Sequence, residues 1–117
     1  MLHCLAIMEG VRGLGYQAMA IAVLHDLLED CPAWNMDRLA EEGLGTIAPF
    51  IQILTRSKDE NYFDYIERVS TNSTTCAIKL SDLRHNMDPS RLPDLSDKTM
   101  DRMKKYHTAY NYLRGIY

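Results

Sequence analysis

No run of Lys and Arg in the 117-residue chain makes a stripe that could track a phosphate backbone. Thirteen basic residues against sixteen acidic ones leave a formal net charge of −3, so duplex nucleic acid is not an expected partner. Long apolar runs are missing as well. The longest, Ala18 to Leu24, falls far short of the ~18 residues of a bilayer span, so no membrane partner is expected. The opening Met1-Leu2-His3-Cys4 has neither a basic n-region nor an extended apolar stretch, which argues against a signal peptide. Cysteine is scarce: Cys4, Cys31 and Cys76 are odd in number and contain no CxxC, which favours neither a disulfide framework nor a zinc knuckle. That usage suits the reducing cytoplasm, and without secretion the Asn72-Ser73-Thr74 sequon carries no expectation of glycosylation. Repeats, low-complexity stretches and linkers are absent, so residues 1–117 read as a single domain.

What is present is helical spacing, with little of the alternation that marks strands. The pattern predicts a first helix over about Leu2 to Val11, closed by the Gly13-Leu14-Gly15 turn. A second runs from about Tyr16 to Asp30 and stops before Cys31-Pro32. Asn35 caps a short helix through Glu42, and another spans about Thr46 to Thr55. Asn61 caps Tyr62 to Val69, with Asp64 in the first turn to complement the dipole. A helix from about Thr74 is broken by Asp88-Pro89. Ser96 caps the last helix, whose apolar stripe is Met100, Met103, Tyr106, Tyr110 and Leu113. The expected fold class is all-α, a compact bundle of about six or seven short helices.

The second helix carries chemistry. Ala18 to Leu24 is apolar on every face, as in a helix buried on all sides, and it continues into His25-Asp26-Leu27-Leu28-Glu29-Asp30. His25 and Glu29 share one face and Asp26 and Asp30 another, while His25 and Asp26 sit ~100° apart around the axis. Ionisable groups at the end of a buried element must be paired, protonated or bound to a cation. Two readings fit: a helix end that emerges into solvent, or a cation site. A later helix, Ile78-Lys79-Leu80-Ser81-Asp82-Leu83-Arg84-His85-Asn86-Met87, also embeds polar residues in an apolar pattern. Asp82 and Asn86 form an i, i+4 pair, and Ser81 is small enough to admit another helix closely. His3 lies among Leu5, Ile7 and Met8, where a lone histidine is commonly a packed core residue. Two His and two Asp from three helices nevertheless make a mixed N/O set suited to a divalent transition metal with open positions for water.

His3, then His25-Asp26, then Asp82 resembles the H…HD…D signature of the HD superfamily of metal-dependent phosphohydrolases. Ala22-Val23-Leu24-His25-Asp26-Leu27-Leu28-Glu29-Asp30 is similar to the A-x-L-H-D-x-x-E-D stretch of the RelA/SpoT-type hydrolase domain. Ile78-Lys79-Leu80-Ser81-Asp82 through Asn86-Met87 is similar to that group's I-K-L-[AS]-D-x-x-x-N-M helix. Met36 to Leu44, Leu54-Thr55-Arg56 and Tyr65 to Val69 also resemble small stand-alone bacterial members, so the likeness spans most of the chain. It implies an HD-domain bundle holding one divalent ion, most often Mn²⁺, on His3, His25, Asp26 and Asp82. It also implies that Glu29 and Asp30 handle protons or orient the attacking water, and that Asn86 contacts substrate. The implied reaction removes the 3′-pyrophosphate of guanosine tetra- or pentaphosphate, (p)ppGpp, the nucleotide of the stringent response. The alternatives are an HD phosphatase for another nucleotide or for NADPH, on which an animal relative acts, and a non-catalytic HD module that binds nucleotide or metal.

In RelA/SpoT-type domains a helix and a basic, Gly-containing loop precede the first metal histidine and help hold the purine, whereas His3 is the third residue here. The expectation is a shortened domain with a weak grip on guanine, whose exposed apolar surface favours a homodimer or aggregation. Lys79 is a candidate phosphate contact; Arg84, Arg56 and Lys58 are weaker ones, and Arg12 does not replace the loop by position. His85 reads as an exposed or capping side chain, and His107 as packing of the last helix beside Tyr106 and Tyr110. Trp34 reads as a staple-like contact, and the seven methionines and seven tyrosines as core filler.

Glu29 shares a face with His25 but is not counted among the ligands. Glu29→Gln should therefore keep its metal, measured by elemental analysis, while turnover falls roughly 10²–10⁴-fold as for loss of a general acid–base group. Equal turnover in the variant would move that role to Asp30 or to solvent.

Overall fold

The computed structural model of the chain describes Gly15, residues 18–22, Leu24, Glu41 and residues 47–116. Among these the secondary structure is entirely helical, as expected for an all-α bundle. Four α-helices carry it: α1 (Ala48–Leu54), α2 (Tyr62–Val69), α3 (Ser73–Asn86) and α4 (Asp97–Arg114), with a 3-10 turn at Pro89–Arg91. Residues 18–22 and Leu24 are also helical, as is Glu41. The first predicted helix, Trp34 and most of the Asn35–Glu42 helix lie outside the described residues. No helix of the described residues is long and apolar enough to cross a membrane.

Each boundary has a local cause. Gly15 sits at φ +99°, in the left-handed region that a Cβ disfavours, and its carbonyl accepts from Met19 N–H as the helical segment begins. In α1 the proline stands in the first turn, where its missing N–H costs no helical bond. At the other end of α1 the Thr55 hydroxyl donates to the Ile51 carbonyl at 2.8 Å. Asn61 Oδ1 accepts from Phe63 N and Asp64 N at the head of α2, as its sequence predicts. The head of α3 comes one residue earlier than expected. Asn72 Oδ1 accepts from Thr74 N and Thr75 N, so the residue that starts the sequon is spent as an N-cap. α3 ends at Asn86, and Asp88 is extended ahead of Pro89, as the residue before proline must be.

The core is one cluster with α3 at its centre, packed against α1, α2 and α4. Ile78, Leu83 and Cys76 of α3 meet Ile51 and Leu54 of α1, Tyr65, Ile66 and Val69 of α2, and Ala109 and Leu113 of α4. Ala18, Ile21 and Ala22 are buried in the same cluster, and Met19, Ala20 and Leu24 are partly buried against it, which agrees with a segment apolar on every face. The stripe expected on α4 is shared: Leu113 is fully buried, while Met100, Met103, Tyr106 and Tyr110 are partly covered. His107 departs from expectation, since it is exposed beside Asn111 rather than packed. Polar ties cross the helix pairs. Tyr65 hydroxyl donates to Leu54 O at 2.6 Å, Thr75 hydroxyl to Val69 O at 2.8 Å, and Arg68 to Thr55 O at 2.9 Å.

Asp94 organises the entry to α4. Its Oδ1 accepts from Ser96 Oγ at 2.7 Å, Thr99 Oγ1 at 2.7 Å and Ser96 N at 3.0 Å, and Ser96 is itself the N-cap. The Ser96 hydroxyl first, then Thr99 and the Ser96 amide, hold its carboxyl at about 2, below the ordinary 3.8. A depressed folded value means that its contribution is complete above the unfolded value and is lost as pH falls through the folded one. Asp94→Ala should therefore melt below the parent chain at neutral pH, and the two melting temperatures should converge as pH approaches about 2. A gap independent of pH would contradict this account of the cap.

Candidate functional site

Asp82 is the predicted site residue around which the described structure is most specific. It stands on the third turn of α3, 5% exposed, in the most contacted helix of the bundle. Lys79, one turn earlier on the same face, donates Nζ to Asp82 Oδ2 at 2.7 Å. Asn86, one turn later, donates Nδ2 to Oδ1 at 3.2 Å. The helical spacing i, i+3 and i, i+4 thus places a cation below and an amide above one buried carboxylate. Burial pulls the Lys79 ammonium toward neutrality, but the Asp82 charge and hydrogen bond, helped by Tyr65 and Tyr62, outweigh it and raise its pKa overall. Lys79 is therefore a fixed positive charge, and its Nζ also stands 5.3 Å from the centre of the Tyr65 ring.

An aromatic wall from α2 and α4 stands beside this pair. The Tyr62 ring lies 6.2 Å from that of Tyr65 and 6.4 Å from that of Tyr106. Arg56 and Lys105 approach the Tyr62 ring at 5.3 and 4.5 Å. Burial, opposed by the Lys79 charge, pushes the Tyr62 hydroxyl up to about 12, and this buried oxygen has no hydrogen-bond partner among the described residues. Tyrosines read from sequence as core filler thus include one with an unspent donor; the Tyr62/Tyr65 spacing along α2 is the only signal of it in the sequence.

The C-terminal end of α3 adds a second layer. Arg91, at the end of the 3-10 turn, brings Nη1 to 3.0 Å from Asn86 Oδ1 and 3.0 Å from His85 Nδ1. A guanidinium only donates, so the acceptor in this contact is His85 Nδ1. His85, expected as an exposed or capping side chain, is half-buried in this contact. Between α3, the turn and α4 lies a cavity of about 140 Å³, with Asn86, Arg91, Arg102, Met103 and Tyr106 on its wall. Among the described residues on its wall, two guanidinium groups and an amide supply hydrogen-bond donors and positive charge.

The other basic candidates are placed differently. Arg84 is exposed and reaches the Tyr110 hydroxyl at 3.4 Å, Lys58 is exposed, and Arg56 donates to the Glu60 carbonyl at 3.1 and 3.2 Å. His3, His25, Asp26, Glu29 and Asp30 lie outside the described residues, so of the predicted metal ligands the described structure holds Asp82. Among the described residues no three His, Cys, Asp or Glu side chains converge. The donor chemistry of Asp82 fits a hard divalent ion. It is a buried anionic oxygen donor, held from its own helix by Lys79 and Asn86. Arg91 and the 3-10 turn have no counterpart in the sequence reading, which saw in Asp88-Pro89 only a helix stop. An Asp cap followed by proline at the first helical position is the pattern that could have shown it. Family models provide no match to the chain, and no curated protein matches it.

The Lys79–Asp82 pair is largely shielded, with side chains 13% and 7% exposed. Removing one partner of a buried pair leaves the other uncompensated, so Lys79→Met should cost about 3–5 kcal/mol in urea unfolding of metal-free protein. Adding Asp82→Asn to that variant should recover part of the loss. A cost below about 1 kcal/mol, typical of exposed pairs, would show that the pair is solvated.

Proposed function

We propose that the chain is a metal-dependent phosphohydrolase that cleaves phosphate or pyrophosphate from a nucleotide, with removal of the 3′-pyrophosphate from (p)ppGpp as its preferred reaction. The single observation that carries the reading is the position of Asp82. It is a buried carboxylate one hydrogen bond behind the wall of a cavity furnished with Arg91, Arg102 and the Asn86 amide. The cavity's donors suit phosphoryl oxygens. The motif resemblance supplies the rest: His3, His25 and Asp26 complete the ligand set with Asp82 for one divalent ion, Mn²⁺ by that likeness.

A divalent ion so bound lowers the pKa of water and polarises a phosphoryl oxygen. The chain's own groups do the remaining work. Lys79 balances the Asp82 charge from the side away from Asn86, and Asn86 presents its amide at the junction of carboxylate and cavity. Arg102 receives charged oxygens of the nucleotide, and Tyr106 offers a ring beside it. Glu29 and Asp30 carry the proton traffic. The free, buried Cys76 is compatible with action in the reducing cytoplasm.

A release screen over nucleotides with added Mn²⁺ tests the proposal. The expected result is pyrophosphate, without orthophosphate, from guanosine tetraphosphate. Orthophosphate from NADPH or another nucleotide would replace the preferred substrate by the phosphatase alternative, and no release from any nucleotide would contradict hydrolysis altogether.

A further inference from the structure

Arg91 is exposed and stands at the end of the 3-10 turn Pro89–Arg91. The turn is closed by main-chain bonds, Arg91 N to Asp88 O at 3.0 Å and Leu92 N to Pro89 O at 3.2 Å. It is capped by Asp88 Oδ1, which accepts from Ser90 N at 3.0 Å and Ser90 Oγ at 2.8 Å. Pro89 at its first position fixes the local φ. The guanidinium is thus presented by a stiff support whose integrity does not depend on it. What it meets is the far side of the Asn86 amide, at Oδ1, while Nδ2 of the same amide meets Asp82.

An asparagine amide has two ends of nearly equal shape and opposite hydrogen-bonding character. Asp82 can be satisfied only by the NH₂ end, and Arg91 only by the oxygen end. Both partners therefore select the same one of the two flip states, and Arg91 is the partner on the cavity side. We infer that Arg91 is a positioning residue, which locks the Asn86 amide with its NH₂ toward Asp82 and so orders the junction between that carboxylate and the cavity. The contacts to His85 hold the guanidinium in place, since Nη1 reaches the ring Nδ1 at 3.0 Å and the carbonyl at 3.4 Å besides the Asn86 oxygen. Groups that orient a first contact without touching the reacting atoms are worth 10–100-fold when removed, and the catalytic consequence here rests on the hydrolase reading above.

The test compares the parent chain with Arg91→Ala and Arg91→Lys by two independent readouts. Without added metal, the Asn86 side-chain NH₂ signals in ¹⁵N–¹H spectra report the amide directly. Arg91→Ala should shift them and speed their exchange with solvent, while backbone signals of α1 and α2 stay in place. Arg91→Lys, which keeps a donor but loses the fork, should restore part of the protection. With Mn²⁺ and guanosine tetraphosphate, Arg91→Ala should lower kcat about 10–100-fold at unchanged metal content, with partial rescue by Lys. Unchanged Asn86 signals in Arg91→Ala would overturn the inference, whatever the rates. If the parent chain releases nothing from any nucleotide, the hydrolase reading fails, and the amide signals still decide whether Arg91 locks Asn86.

Discussion

A carboxylate in the interior of a small helical bundle has to be neutralised by its surroundings, and most of what is specific about α3 follows from that requirement at Asp82. Lys79 supplies the charge and Asn86 an amide proton, both from the same helix at the spacings that share a face. Because these partners are local, the pair does not dictate how the other helices pack. That freedom lets α3 bury Ile78 and Leu83 on its remaining surface and serve as the centre of the core. One helix therefore carries both the hydrophobic load and a charged group. A buried ion pair of this kind adds little net stability over apolar side chains of the same shape.

The surroundings of the pair extend that use outward. Tyr62, Tyr65 and Tyr106 exclude water from one flank, with Lys105 and Arg56 against the outer ring. On the other flank polarity is handed from Asp82 through Asn86 to Arg91 at the edge of the cavity. The chain bears a net negative charge, yet Arg56, Arg102, Lys79 and Lys105 lie close enough to feel one another. The mutual repulsion of the cations is felt at Lys105, whose pKa is lowered first by burial and then by Arg56, Arg102 and Lys79. Positive charges held together in an acidic protein are stabilised by an anionic ligand, which is the electrostatic side of the proposed function.

How much was legible in the sequence depended on whether a feature is local. Asn61 and Ser96 announce α2 and α4 because an N-cap is a short-range hydrogen bond between residues two or three apart. The polar interruption of α3 is legible for a similar reason, since Asp82 and Asn86 are one turn apart. The start of α3 at Ser73 was missed by one residue because Asn72 sat in a polar stretch with several equivalent cap candidates. His107 differs for the opposite reason: whether a side chain meets solvent or a neighbouring helix depends on packing that no local pattern records. Arg91 belongs to the same class. Its target is an amide on another element, and only the turn in three dimensions brings the two together.

In the proposed function Asp82 is buried to bind a cation rather than merely to pair with Lys79. Stoichiometric Mn²⁺ binding to the intact chain, compared with Asp82→Asn by elemental analysis after equilibration and gel filtration, addresses it most directly. The account predicts one ion per parent chain and loss of that ion in the variant, with the fold retained by circular dichroism. Equal metal content in the two proteins would contradict it.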